Sequence, residues 1–135
     1  DKENLKICLI EDDESLRFTI KEILEKQNVQ IMEAENGKVG MDILQNEEIK
    51  PDLILLDLMM PVMNGFEFLK AIRETELNSI PILVLTGAEL SGDEKTFLLG
   101  ETQRILEKSE DTMSTIVNEV SNVIKASSFK NGDSK

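Results

Sequence analysis

The chain predicts a doubly wound α/β domain with five parallel strands, and three observations lead there. Five short apolar runs recur along its 135 residues, at 6–10, 29–34, 53–56, 82–86 and 104–107. Three of these runs are continuous rather than alternating, as strands covered on both faces of a parallel sheet are. Helical apolar patterns lie between the runs. A β-α unit repeated five times implies right-handed crossovers and helices on both sheet faces.

Each element has its own signal. The first run, Lys6-Ile7-Cys8-Leu9-Ile10, contains the single cysteine, so no intrachain disulfide can form. A thiol in such a run reads as small core filling. Asp13 is placed to cap the next helix, whose apolar face is Leu16, Ile20, Ile23 and Leu24. After the second run, Val39, Ile43 and Leu44 mark a shorter helix. The third run, Leu53-Ile54-Leu55-Leu56, ends on Asp57; Leu58, Met59 and Met60 follow, and Pro61 and Gly65 break the chain before a helix carrying Phe66, Leu69 and Ile72. The fourth run closes on Thr86, and a weak helix over 93–99 is expected to end near Gly100. Lys108 follows the fifth run. Met113, Ile116, Val117, Val120, Val123 and Ile124 form the clearest amphipathic helix. The polar stretch SSFKNGDSK, residues 127–135, reads as a loose tail or linker, leaving one domain over 5–126. A start at Asp1-Lys2 without methionine reads as a segment of a longer protein or a processed chain.

Composition narrows the function. Hydrophobic residues are 40% of the chain, enough for a core at this length. Fifteen basic against 27 acidic residues give a net charge of −12. Such a surface repels DNA, RNA and anionic lipid, and suits metal ions and basic protein partners. No apolar run approaches the ~18 residues of a membrane helix, and no signal peptide is visible. A reducing, cytoplasmic setting is the expectation.

Doubly wound sheets carry their sites at the carboxyl ends of the strands. Glu11 and Asp12 follow the first strand, Asp57 the third, Thr86 ends the fourth and Lys108 follows the fifth. If the strand order is 2-1-3-4-5, all five residues share one rim. Two carboxylates 4 Å apart repel by roughly 4 kcal/mol at an effective dielectric of 20. A divalent cation relieves that repulsion, and an all-oxygen set with room for water suits Mg²⁺ or Mn²⁺. Taken alone, Thr86 is an ordinary strand end and Lys108 a surface lysine; their weight comes from joint placement.

These residues fall into a known pattern. LIEDDESLR, LILLDLMMPVMNGFEFL, PILVLTG and ILEKS, in this order and spacing, resemble the receiver domain of two-component response regulators, over residues 5 to about 126. The resemblance implies a flavodoxin-like (βα)5 fold with strand order 2-1-3-4-5. It implies that Asp57 accepts a phosphoryl group from a phosphohistidine on a histidine kinase or histidine phosphotransfer protein. It implies Mg²⁺ on Asp12, Asp57 and the Met59 backbone carbonyl, with Glu11 acting through water, and Lys108 and Thr86 on the phosphoryl oxygens. The chain has no histidine and cannot be its own donor. It would be a signalling phosphoacceptor rather than an enzyme, without direct contact to nucleic acid or membrane.

Two positions depart from the family pattern. Ile105 stands where an aromatic usually precedes the lysine by three residues, and Ser109 stands where a proline usually follows it. The phosphorylation residues are intact, while the usual route from site to output is not. The short fourth helix and the Lys-Ser ending resemble receivers fused to hybrid sensor kinases more than those feeding a DNA-binding output domain, with a stand-alone receiver as the alternative. Met59 and Ala88, two residues beyond Asp57 and Thr86, offer no group to orient a water, which predicts slow self-dephosphorylation. Rival readings are weaker. An aspartate-nucleophile phosphatase needs an acid where Met59 stands. A flavin module needs a hydroxyl- and glycine-rich first loop, and this one is Glu-Asp-Asp-Glu. A degenerate receiver kept only for protein contacts would have less reason to hold all five residues.

Overall fold

In a computed structural model, residues 5–133 are described except 47, 49 and 110. Five strands form one parallel sheet: β1 (Leu5–Ile10), β2 (Val29–Ala34), β3 (Leu53–Asp57), β4 (Ile82–Thr86) and β5 (Arg104–Glu107). Their spatial order is β2-β1-β3-β4-β5, as the resemblance implied. The helices are α1 (Glu14–Glu25), α2 (Gly37–Asn46), α3 (Gly65–Arg73), α4 (Gly92–Glu101) and α5 (Thr112–Asp133), with a short 3-10 turn at Glu76–Ser79.

Strand alternation divides the core in two. Cys8, Ile10, Ile54, Leu56 and Val84 point to one face, where they meet Phe68, Leu69 and Ile72 of α3, Leu44 of α2 and Leu98 of α4. Ile7, Leu9, Leu53, Leu55 and Leu85 point to the other, against Ile20 and Leu24 of α1 and Ile116 and Val120 of α5. Every residue of β3 and β4 is buried, which is why both runs lack alternation. Each such leucine or isoleucine contributes about 1.5–3 kcal/mol by leaving water. The two central strands are therefore a rigid base for whatever stands at their ends.

Three details differ from the sequence expectation. The strand β3 includes Asp57, which pairs with Leu85 of β4, so the ladder holds the acid itself. In α3 the fully buried aromatic is Phe68, while Phe66 is half-buried and meets the Phe97 ring at 6.4 Å between centroids. Phe68 shares a helical face with Leu69 and Ile72 and sits over the sheet centre; Phe66 lies at the edge of that face. Finally, α5 is helical to Asp133, through most of the stretch read as a tail. That stretch holds no proline and only Gly132 as a weak former, so nothing local ends the helix before it. The side chains of Ile124 and Phe129 and the whole of residues 134–135 lie outside the described residues. No described helix is long and apolar enough to cross a membrane.

Candidate functional site

The rim at the carboxyl ends of β1, β3, β4 and β5 gathers the residues the sequence singled out. Glu11, Asp12 and Asp57 each offer a carboxylate oxygen, and these oxygens lie within 4.8 Å of one another. Glu11 and Asp57 are buried and Asp12 is exposed. Lys108 reaches in from the end of β5, its Nζ 3.1 Å from Glu11 Oε1 and 3.3 Å from Asp57 Oδ1. An open cavity of about 350 Å³ is lined by Glu11, Asp12, Asp57, Met59, Ala88 and Lys108, among others. Asp13, next along, turns outward and caps α1, accepting the Leu16 amide at 3.1 Å, as its position predicted.

The charges are only partly balanced. Three acids face one lysine, and the buried Glu11 Oε1 has no hydrogen-bond partner despite the nearby ammonium. Burial pushes the Glu11 carboxyl up to about 7; the Asp13 amide and Lys108 pull it down and Asp57 pushes it further up. Asp57 is raised as well, by burial first, against the pull of Lys108 and with a push from Asp12. Burial alone would lower Lys108, but Glu11 and Asp57 outweigh it and hold the ammonium above its ordinary value. By contrast Cys8, buried among hydrocarbon, is pushed up to about 12 and stays an inert thiol. An underneutralised all-oxygen cluster, open to solvent, whose buried Glu11 Oε1 is met by an ammonium but accepts no hydrogen bond, fits a hard divalent cation.

Local sequence explains the geometry. Gly65 begins α3 so close to the end of β3 that an added Cβ would lie 2.6 Å from the Asp57 carbonyl oxygen and 2.8 Å from Leu58 Cα. Its amide donates to the Leu58 carbonyl at 2.9 Å. Asn64 and Glu67 close a reciprocal capping box there. Within the same loop Val62 has φ 68°, a left-handed conformation that β-branched residues rarely adopt, and is 79% exposed.

Thr86 is placed differently from the other four. It is buried, and its Oγ1 accepts the Ala88 amide at 3.0 Å. It lines a cavity of about 750 Å³ with Leu90, Lys95 and Ile105, which shares Gly87, Ala88 and Lys108 with the acidic cleft. Ile105 packs toward the α3–α4 side of the core, so the position that departs from the pattern lies beside Thr86. Two residues near the rim were not assigned a role from sequence. Arg17 donates to the Glu11 backbone carbonyl at 2.6 Å while Glu33 of β2 holds its Nε at 3.2 Å. Thr112 binds the backbone around Ser109. An arginine five residues after Asp12 was a visible signal; the role of Thr112 depends on a loop conformation that no spacing reveals.

A doubly wound sheet with an acidic triad and a lysine at its carboxyl rim defines the class of protein. Residues 7–121 match the family described as the response regulator receiver domain, and the chain belongs to that family. It is 39% identical to the transcriptional regulatory protein CpxR of Escherichia coli K12 over 85 residues, 63% of this chain and 35% of that protein. The chain thus spans about a third of that relative. It is 33% identical to sporulation initiation phosphotransferase F of Bacillus subtilis over 97 residues, 72% of this chain and 77% of that one. The structure of the phosphorylated cyanobacterial phytochrome response regulator RcpA aligns with a TM-score of 0.77 at 27% identity, covering 87% of this chain and 91% of that one.

Proposed function

We propose that this domain is a phosphoacceptor of a two-component phosphorelay, with Asp57 the residue modified. The observation that carries the reading is Lys108 Nζ within 3.3 Å of Asp57 Oδ1, beside a carboxylate cluster suited to a cation. The similarity to a protein named as a phosphotransferase and to a phosphorylated response regulator supports it.

Mg²⁺, or Mn²⁺, would be held by Asp12, Asp57 and the Met59 backbone carbonyl, with Glu11 acting through water; when bound it neutralises phosphoryl oxygens and orients them. The remaining chemistry belongs to the chain. A carboxylate oxygen of Asp57 attacks the phosphorus of a phosphohistidine on a histidine kinase or phosphotransfer protein. The P–N bond breaks, the imidazole nitrogen leaves with its electron pair, and an acyl phosphate forms. The β3 ladder holds the nucleophile in line, and positioning with charge stabilisation is most of what phosphoryl transfer requires. Lys108 places its charge on the transferred group, and Thr86, whose oxygen accepts the Ala88 amide, keeps its hydroxyl hydrogen to donate to that group. The setting is cytoplasmic, and the parent chain is either a hybrid sensor kinase or a separate response regulator; the short fourth helix and the Lys108-Ser109 ending favour the hybrid.

Acetyl phosphate with Mg²⁺, read by intact mass, tests the proposal. One phosphoryl group should add to wild type and none to Asp57→Asn. Mg²⁺ binding without any modification would instead leave a domain used for protein contacts alone.

A further inference from the structure

The loop after β5 holds Lys108 in an unusual way. At the next position Ser109 supplies a backbone N–H, which a proline there would lack. That amide donates to Thr112 Oγ1 at 2.5 Å. The same hydroxyl lies 2.7 Å from the Ser109 carbonyl oxygen and 3.4 Å from that of Glu107. It has one hydrogen to give, and the shorter contact takes it. The Thr112 amide also donates to the Ser109 carbonyl, at 3.1 Å. Thr112 is buried while Ser109 is exposed, so the hydroxyl end of these bonds is shielded from solvent. On the other side, the Lys108 amide donates to the Thr86 carbonyl at 2.8 Å, the last rung of the sheet.

We propose that Thr112 is a positioning residue for Lys108: its hydroxyl latches the backbone immediately after the lysine, doing by hydrogen bonding what a ring at Ser109 would do by covalent restraint. The reason is mechanical. An ammonium on a flexible four-carbon stem is aimed by its Cα–Cβ direction. The β ladder fixes residue 108 from one side only. Ser109 by itself leaves φ free, so without the latch the backbone after Lys108 can rotate and carry Nζ away from Asp57. Thr112 touches neither the carboxylates nor the transferred group, and acts only through Lys108.

This inference rests on the phosphoacceptor reading, and the experiment separates the two. Mg²⁺ affinity is measured by calorimetry without anion; beryllofluoride affinity is then measured at saturating Mg²⁺. The Ser109 amide is followed by hydrogen exchange. In wild type, failure to bind beryllofluoride would overturn the phosphoacceptor reading and this inference with it. Given binding, Thr112→Val is expected to weaken beryllofluoride about fivefold, with Mg²⁺ affinity changed less than twofold, since Lys108 faces the anion. Exchange at Ser109 should accelerate, and Thr112→Ser should restore both readouts. Equal anion affinity in Thr112→Val and wild type, parallel loss of Mg²⁺ and anion, or a freely exchanging Ser109 amide in wild type would each overturn the latch. Thr112→Ala is the reserve variant with the same expected split. Failure of both variants to fold would make Thr112 a general structural residue and overturn the proposal too.

Discussion

Lys108 Nζ lies 3.3 Å from Asp57 Oδ1, joining the end of β5 to the end of β3 across the intervening strand. The same ammonium is 3.1 Å from Glu11 Oε1. One side chain therefore compensates two buried acids. Lys108→Met should leave both uncompensated. Breaking a buried pair costs about 3–5 kcal/mol; with Lys108 25% exposed, about 2–3 kcal/mol is expected at pH 8. Urea unfolding measures it, and added Mg²⁺ should recover much of the loss. An unchanged midpoint would show that the lysine carries no such load.

The acids give stability a defined pH dependence. Glu11 is raised from 4.5 to about 7. Between those values the folded state holds a proton that the unfolded chain has lost, so stability falls as pH rises through that window and levels off above it. Asp57 is shifted in the same direction. Lys108, raised above 10.5, acts in the same direction at higher pH: its stabilising contribution is complete below that pH and is lost only in stronger alkali. From pH 5 to 8 wild type should lose about 2–3 kcal/mol relative to Glu11→Gln. Denaturation at several pH values checks this, and parallel curves for the two proteins would refute it.

Val62 sets a β-branched side chain at φ 68° with 79% of it in solvent. Among the described residues that side chain packs in neither core cluster. Val62→Asn, whose short polar side chain tolerates the left-handed region, should stabilise by about 0.5–1 kcal/mol. A thermal melt would register it as a rise in midpoint. A fall would mean that the exposed methyl groups make a contact that matters.

Gly65→Ala addresses the approach of α3 to the nucleophile. The added carbon would meet backbone atoms 2.6 and 2.8 Å away, and backbone cannot yield as a flexible side chain does. A loss of about 2–3 kcal/mol is expected, together with slower phosphorylation by acetyl phosphate because Asp57 shifts with its carbonyl. Wild-type kinetics in a folded variant would show that the loop absorbs the carbon without moving the acid.

Met59 lines the acidic cleft and is 61% exposed, with Ala88 on the same wall. Neither side chain can hold a water in line with an acyl phosphate. Slow self-dephosphorylation is the expected outcome, followed as decay of the phosphorylated mass with Mg²⁺ present. A half-life of seconds would contradict it.

Much of this was legible from residues in order. The continuous runs of β3 and β4 carry their burial in their composition, because a strand covered on both faces has no polar side to show. Asp57, Glu11, Asp12 and Lys108 were locatable because a doubly wound sheet delivers every strand end to one rim. The tertiary structure alone decided the rest. It buried Phe68 rather than Phe66 and set Thr86 in a cavity that it lines together with Ile105 and Lys108. It also closed Thr112 onto the backbone that follows Lys108. The physical reason is one of range: periodicity and strand ends follow from local geometry, whereas a hydroxyl's partner, a ring's depth and an ammonium's aim depend on how separate elements pack.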